Sequence, residues 1–137
     1  MKNIIIIGAS SSLANIFILQ ACNHHNLVLI SRNSSFSFPQ SLACNLLIKD
    51  FSSYASEQEL DLFCNDIQCR LDSSLETVVC LFAWAGTPRL SADSNLNRVF
   101  IVQNQNIVNN SIHLSIKICA DQFIFLSSAG GIYSSKS

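Results

Sequence analysis

The chain has 137 residues, enough for one domain with a real core and too few for two. A formal net charge of -1 and the lack of any basic run leave no electrostatic footprint for nucleic acid or an anionic membrane surface. Hydrophobic residues make up 49% and charged residues only 12%, against about 25% charged in an average soluble domain, so part of the surface is expected to be covered by more chain, another subunit or a ligand.

The first element lies in "NIIIIGASSSLANIFILQAC" (3–22). Lys2 and the isoleucines have the outline of an export leader, but the apolar run stops after four residues, and Ser10, Ser11, Ser12 and Asn15 interrupt the next segment. A signal core needs roughly 7 to 15. No stretch approaches the 18 or more apolar residues that span a bilayer, and a cytoplasmic chain is expected. The run ends in Gly8 and is a strand; Leu13 to Cys22, apolar almost all round, is a helix wedged between sheet and neighbour.

Next come "NLVLIS" (26–31), the serine- and phenylalanine-rich loop "SRNSSFSFPQS" (31–41) in place of a regular second helix, and "CNLLIK" (44–49). "SEQELDLFCNDIQCRL" (56–71) has an acidic first turn that suits the positive helix end, and Leu60, Phe63, Cys64, Ile67 and Leu71 form one stripe. "TVVCLFAWAG" (77–86) is a strand. Asn97 to Cys119 is a long helix with Ile101, Val108 and Ile112 on one face, and "QFIFLSS" (122–128) ends the series. The six cysteines, at 22, 44, 64, 69, 80 and 119, form no C-x-x-C pair and no metal-ligand spacing. They are expected to be reduced, buried thiols, and no metal site is expected.

None of the strands alternates polar and apolar residues, as suits a parallel sheet covered on both faces by helices. Strand and helix alternate, so the expected fold is α/β, a doubly wound parallel sheet of five strands in the order 3-2-1-4-5. Ligands of such sheets bind beyond the carboxyl ends of the strands, where neighbouring crossovers diverge. There Gly8 lets the backbone turn, and a helix starting near Ser11 or Ser12 aims unpaired N–H groups at a pyrophosphate. Serine hydroxyls can cap that helix and donate to phosphate oxygens. Ser10, Ser11, Ser12 and Leu13 are the candidate phosphate-binding turn.

"GASSSLA" (8–14) resembles the glycine-rich turn of short-chain dehydrogenases/reductases, G-A-S-S-G-I-G, or G-x-x-G-x-x-G in the extended epimerase/dehydratase branch. Only Gly8 survives. Ser11 or Ser12 stands where the middle glycine belongs, and Ala14 replaces the last. After the second strand, Ser31 and Arg32 lie where NAD-preferring members carry an acidic residue, and arginine can grip a 2′-phosphate bidentately. The resemblance therefore implies NADP in preference to NAD. Asp50 and Phe51 resemble the pair that contacts adenine, and "FAWAGTP" the segment lining the cofactor, with Ala83, Ala85 and Gly86 at its small positions. Trp84 among them is atypical and reads as a core aromatic. The pattern N-V-x-G-T-x-N-L-L-E-A…F-[VI]-F-x-S-S is similar to "NQNIVNNSIHLSIKICADQFIFLSS" (104–128), which puts Asn104 and Asn110 on its asparagines and Ser127 and Ser128 on the active-site serines.

The family's chemistry uses a tyrosine whose pKa is lowered by a lysine four residues later. No such pair occurs: "YSSK" (133–136) has a spacing of three, and Tyr133 matches the structural tyrosine that follows the serines. The resemblance thus implies a single Rossmann-type NAD(P)-binding domain over 1–137, matching the first half of a nucleotide-sugar epimerase, dehydratase or related reductase. Ser128 would orient substrate, and no turnover is expected from these residues alone. A missing second half or a homo-oligomer would cover the bare faces. The alternatives are a non-catalytic dinucleotide sensor or interaction module, an inactive remnant, and a complete but atypical enzyme using Ser128 with Tyr133.

Overall fold

The computed structural model describes residues 1–34, 38–85 and 94–126. The elements in order are β1 (Asn3–Ile7), α1 (Ser12–Ala21), β2 (Asn26–Ser31), a 3-10 helix (Gln40–Asn45), β3 (Leu46–Ile48), α2 (Glu57–Gln68), β4 (Thr77–Leu81), α3 (Ser94–Lys117) and β5 (Gln122–Phe125). All the strand pairs are parallel, in the order β3-β2-β1-β4-β5, with Ile5 opposite both Val28 and Val79. This is the expected doubly wound, Rossmann-type sheet.

Successive side chains of a strand face opposite ways, so each apolar strand feeds two cores. Ile5, Ile7, Val28, Ile30, Val79 and Leu81 pack against α2 and α3 through Phe63, Ile67, Ile107 and Leu114. Ile4, Ile6, Leu27, Leu29, Val78 and Cys80 face the other way, onto Ala14, Ile18 and Ala21 of α1 and Leu42 of the 3-10 helix. The helix starts are set by serines. The Ser11 hydroxyl accepts from the Ala14 N–H and that of Ser56 from the Glu59 N–H, each at 3.2 Å. Glu57 and Glu59 in the first turn of α2 favour its positive end.

Three expectations change. The stripe Ile101, Val108, Ile112 is not the buried face of α3: Ile101 and Ile112 are exposed, and the buried side carries Ile107, Asn110, Ser111, Leu114 and Ser115. The polar members are satisfied inside the fold, since the Ser111 and Ser115 hydroxyls donate to the carbonyls of Ile107 and Ser111. Among the thiols, only Cys64 and Cys80 are buried; Cys22 is half-buried and Cys69 and Cys119 are exposed, all of them free, while the side chain of Cys44 is not among those described. Trp84 is 58% exposed and so is no core residue.

At the amino edge of the sheet a polar cluster closes the strands. The Asn3 amide donates to the Asp72 carbonyl (2.8 Å) and to Thr77 Oγ1 (3.2 Å), and accepts from the Asn26 amide and the Asp72 N–H.

Candidate functional site

The strands end at the carboxyl edge in a crevice of about 270 Å³, lined by Ile7, Gly8, Ser10, Ser11, Ile30, Arg32, Lys49 to Ser52, Phe82 to Ala85 and Ile107. It lies between β1 and its neighbours because α1 leaves β1 toward one face of the sheet while α2 covers the other, the place where such sheets bind ligands. Its volume is below the roughly 300–1,000 Å³ of a typical ligand pocket.

Gly8 shapes the crevice floor. Its φ is +87°, and a Cβ built there would lie 2.6 Å from Ala83 Cα, so any side chain is both strained and in collision with backbone. The glycine is needed for the close approach of the β1 and β4 ends, quite apart from any pyrophosphate. The chain then folds back onto β2, where the Gly8 and Ala9 N–H groups both donate to the Ile30 carbonyl (2.9 and 3.0 Å). Past Ser11 the N–H groups of Ser12 and Leu13, in the first turn of α1, have no acceptor within the helix. Ser10 and Ser11 line the crevice, whereas the side chains of Ser12 and Leu13 are exposed beside it. Ala14 is fully buried against β1, where only a small side chain fits.

On the β2 and β3 side stand Arg32, Lys49, Asp50 and Phe51. Asp50 Oδ1 accepts from the Ser52 hydroxyl (2.6 Å) and N–H (2.9 Å). These bonds hold its carboxyl below the usual carboxylate range, the side-chain bond most strongly, with a smaller pull from Arg32. Phe51 is 4% exposed and packs edge-on to Phe63. It offers the crevice the rim of its backbone and ring. On the β4 side are Ala83, Trp84 and Ala85, with the Trp84 ring 6.3 Å from that of Phe125.

Asn104 does not line the crevice. Its side chain accepts from the Ala85 N–H (2.8 Å) and donates to the Ala85 carbonyl (3.0 Å), fixing the loop after β4. Two more asparagines of α3 hold the loop after β3: Asn106 donates to the Ser52 carbonyl (3.0 Å), and Asn110 to those of Phe51 and Ser53 (both 2.9 Å). One helix thus positions both loops that border the crevice. Sequence reasoning missed Asn106 and Lys49; the run of asparagines on one helix was the available signal for the first. Gly86, Ser127, Ser128 and Tyr133 lie outside the described residues. Among the described residues there is no group of three or more metal-ligating side chains, and no helix is long and apolar enough to cross a membrane.

No family model and no curated protein matches the sequence. Solved structures do match in fold. UDP-glucose 4-epimerase from Bifidobacterium longum, in complex with NAD+ and UDP, superposes with a TM-score of 0.67 at 12% identity, over 93% of this chain and 37% of that one. A short chain dehydrogenase/reductase from Brucella ovis gives 0.54 at 12% identity, over 89% and 59%. A variant of ElxO with NADPH bound gives 0.57 at 16%, over 96% and 57%. The likeness is one of fold: the chain forms a Rossmann-type sheet like that of these proteins and spans about two-fifths to three-fifths of their length.

Proposed function

We propose that the chain is a single NAD(P)-binding domain of the epimerase/dehydratase-like kind, with the dinucleotide seated on the carboxyl edge of the sheet. The observation that carries this reading is the crevice, which gathers Gly8, Ser10, Ser11, Arg32, Asp50, Phe51, Ala83 and Ala85 from four separate segments. The residues suit the group. The amides at the start of α1 can receive a pyrophosphate, Asp50 and the Phe51 backbone can meet an adenine edge, and the small Ala83 and Ala85 let the ligand lie against the β4 end. A bound dinucleotide would supply hydride chemistry; the chain's own part is to hold and orient it. Arg32, with no carboxylate in the acidic position of NAD-preferring members, favours NADP. The free thiols fit a reducing, cytoplasmic setting.

A second reading, a dinucleotide sensor that acts through a partner, is favoured by the bare last strand: Ile124 and Phe125 are 48% and 43% exposed. Trp84 is the only tryptophan and lines the crevice, so its fluorescence reports on occupancy. Titration of the full chain with NADPH and NADH should quench it saturably. No binding of either would refute the proposal; binding without hydride transfer fits both readings, and a partner whose affinity changes with NADPH occupancy would favour the sensor.

A further inference from the structure

Lys49 is a charged crevice residue that the sequence did not single out. It directly succeeds β3, and its N–H donates to the Ser31 carbonyl (2.9 Å), extending the β2–β3 pairing so that Lys49 is held beside Ser31 and Arg32. Both cations line the crevice. They differ in partners: Lys49 Nζ is 3.4 Å from Glu59 Oε2 in the first turn of α2, whereas Arg32 has no ion pair among the described residues. The side chain of Lys49 is 27% exposed and that of Glu59 54%.

Resting on the dinucleotide reading above, we infer that Lys49 and Arg32 together form a phosphomonoester site for the 2′-phosphate of the nucleotide, and that Glu59 is the counter-ion which this phosphate displaces from Lys49. A half-exposed pair such as Lys49–Glu59 is weakly held, worth about 0–1 kcal/mol, so exchanging one carboxylate for a phosphate dianion between two cations is downhill. Arginine supplies the planar fork and lysine a movable point charge. A ribose with a free 2′-hydroxyl offers no charge to pull Lys49 from Glu59, and the pair stays closed. Discrimination therefore resides in the second cation that the 2′-phosphate draws from Glu59, and the Lys49–Glu59 pair tempers it.

The test measures binding of NADPH, NADH, 2′,5′-ADP and 5′-ADP to the full chain and to Lys49→Gln and Glu59→Gln. Lys49→Gln should weaken NADPH about tenfold more than NADH, the loss of one charge-assisted bond. Glu59→Gln should tighten NADPH about twofold by removing the competitor. Wild-type protein should prefer 2′,5′-ADP to 5′-ADP, with a preference that shrinks as salt rises. Equal weakening of NADPH and NADH by Lys49→Gln, or weaker NADPH binding to Glu59→Gln, overturns the inference while NADH binding keeps the dinucleotide reading intact. Inorganic phosphate competing as well as 2′,5′-ADP would make this a free-anion site and overturn the nucleotide assignment. Failure of both NADH and NADPH to bind removes the dinucleotide reading and this one with it.

Discussion

The two ends of the same five strands differ in what is done with their polar groups. At the amino edge Asn3 is 1% exposed and uses both amide hydrogens and its oxygen within the protein, Asn26 adds a bond to the Arg70 carbonyl (2.9 Å), and the Thr77 N–H donates to Asp121 Oδ2 (2.8 Å). That edge is closed. At the carboxyl edge the asparagines stand behind the loops: Asn104, Asn106 and Asn110 hold backbone from the α3 side and leave the front to Gly8, Arg32 and the first-turn amides of α1. The same residue type thus seals one edge and props the other open. The closed edge spends its polar groups within the protein, whereas the propped edge leaves the first-turn donors of α1 without acceptors inside the helix.

The contrast between the edges predicts which substitutions affect folding, binding or both. Gly8→Val has the largest effect. A left-handed φ and a Cβ driven into Ala83 backbone should together destabilise by about 3 kcal/mol or more, with loss of NADH binding. A urea midpoint equal to wild type would show that β1 and β4 do not approach as closely as described. Asn3→Leu acts at the closed edge only. It leaves the Asp72 N–H and Thr77 hydroxyl short of partners and should cost about 2 kcal/mol, while the affinity for NADH in the folded protein stays as it was. A large change in that affinity would mean the edges are coupled.

The strands and their order were legible because a strand buried on both faces must be apolar throughout, and "NIIIIG", "NLVLIS" and "TVVCL" are so. Gly8 was found for an incomplete reason. Its partner, Ala83, is distant in sequence and adjacent only once β1 and β4 pair. The buried face of α3 was misread because hydropathy cannot see satisfaction: Ser111 and Ser115 bond their own helix and Asn110 bonds a loop, so polar residues sit inside while Ile101 and Ile112 face out. Lys49 was not singled out, because only the β2–β3 register sets it beside Arg32. Trp84 looked like core for its size, yet it stands at the crevice with more than half its surface exposed.

A smaller effect separates the propping asparagines from ordinary packing. Asn104→Ala removes two bonds to Ala85 and should destabilise by about 1–2 kcal/mol, less than Asn3→Leu, yet weaken NADH several-fold because the β4 loop loses its position. Asn104→Asp keeps the acceptor for the Ala85 N–H but sets a carboxylate against the Ala85 carbonyl, and should not restore binding. If both variants lose stability with affinity unchanged, Asn104 only supports the fold.

The smallest effect comes from a turn that occurs at both edges. "DFS" (50–52) and "DSS" (72–74) each fold so that the serine N–H and hydroxyl donate to the aspartate, at 2.9 and 2.6 Å in both. Each carboxyl is held below its ordinary value, chiefly by the serine hydroxyl. A carboxyl lowered by folding adds stability that is present above its unfolded value of 3.8, and that is lost as pH falls through the lower folded value. Both groups are exposed, so solvent screens the gain, to below about 1 kcal/mol for Asp50. Ser52→Ala and Ser74→Ala should therefore each reduce the acid-induced fall in the urea midpoint between about pH 5 and pH 2. Only Ser52→Ala should also weaken NADH, because only Asp50 lines the crevice. If Ser74→Ala weakened NADH equally, the twin turns would be equivalent, and the division between a closed edge and a binding edge would not hold.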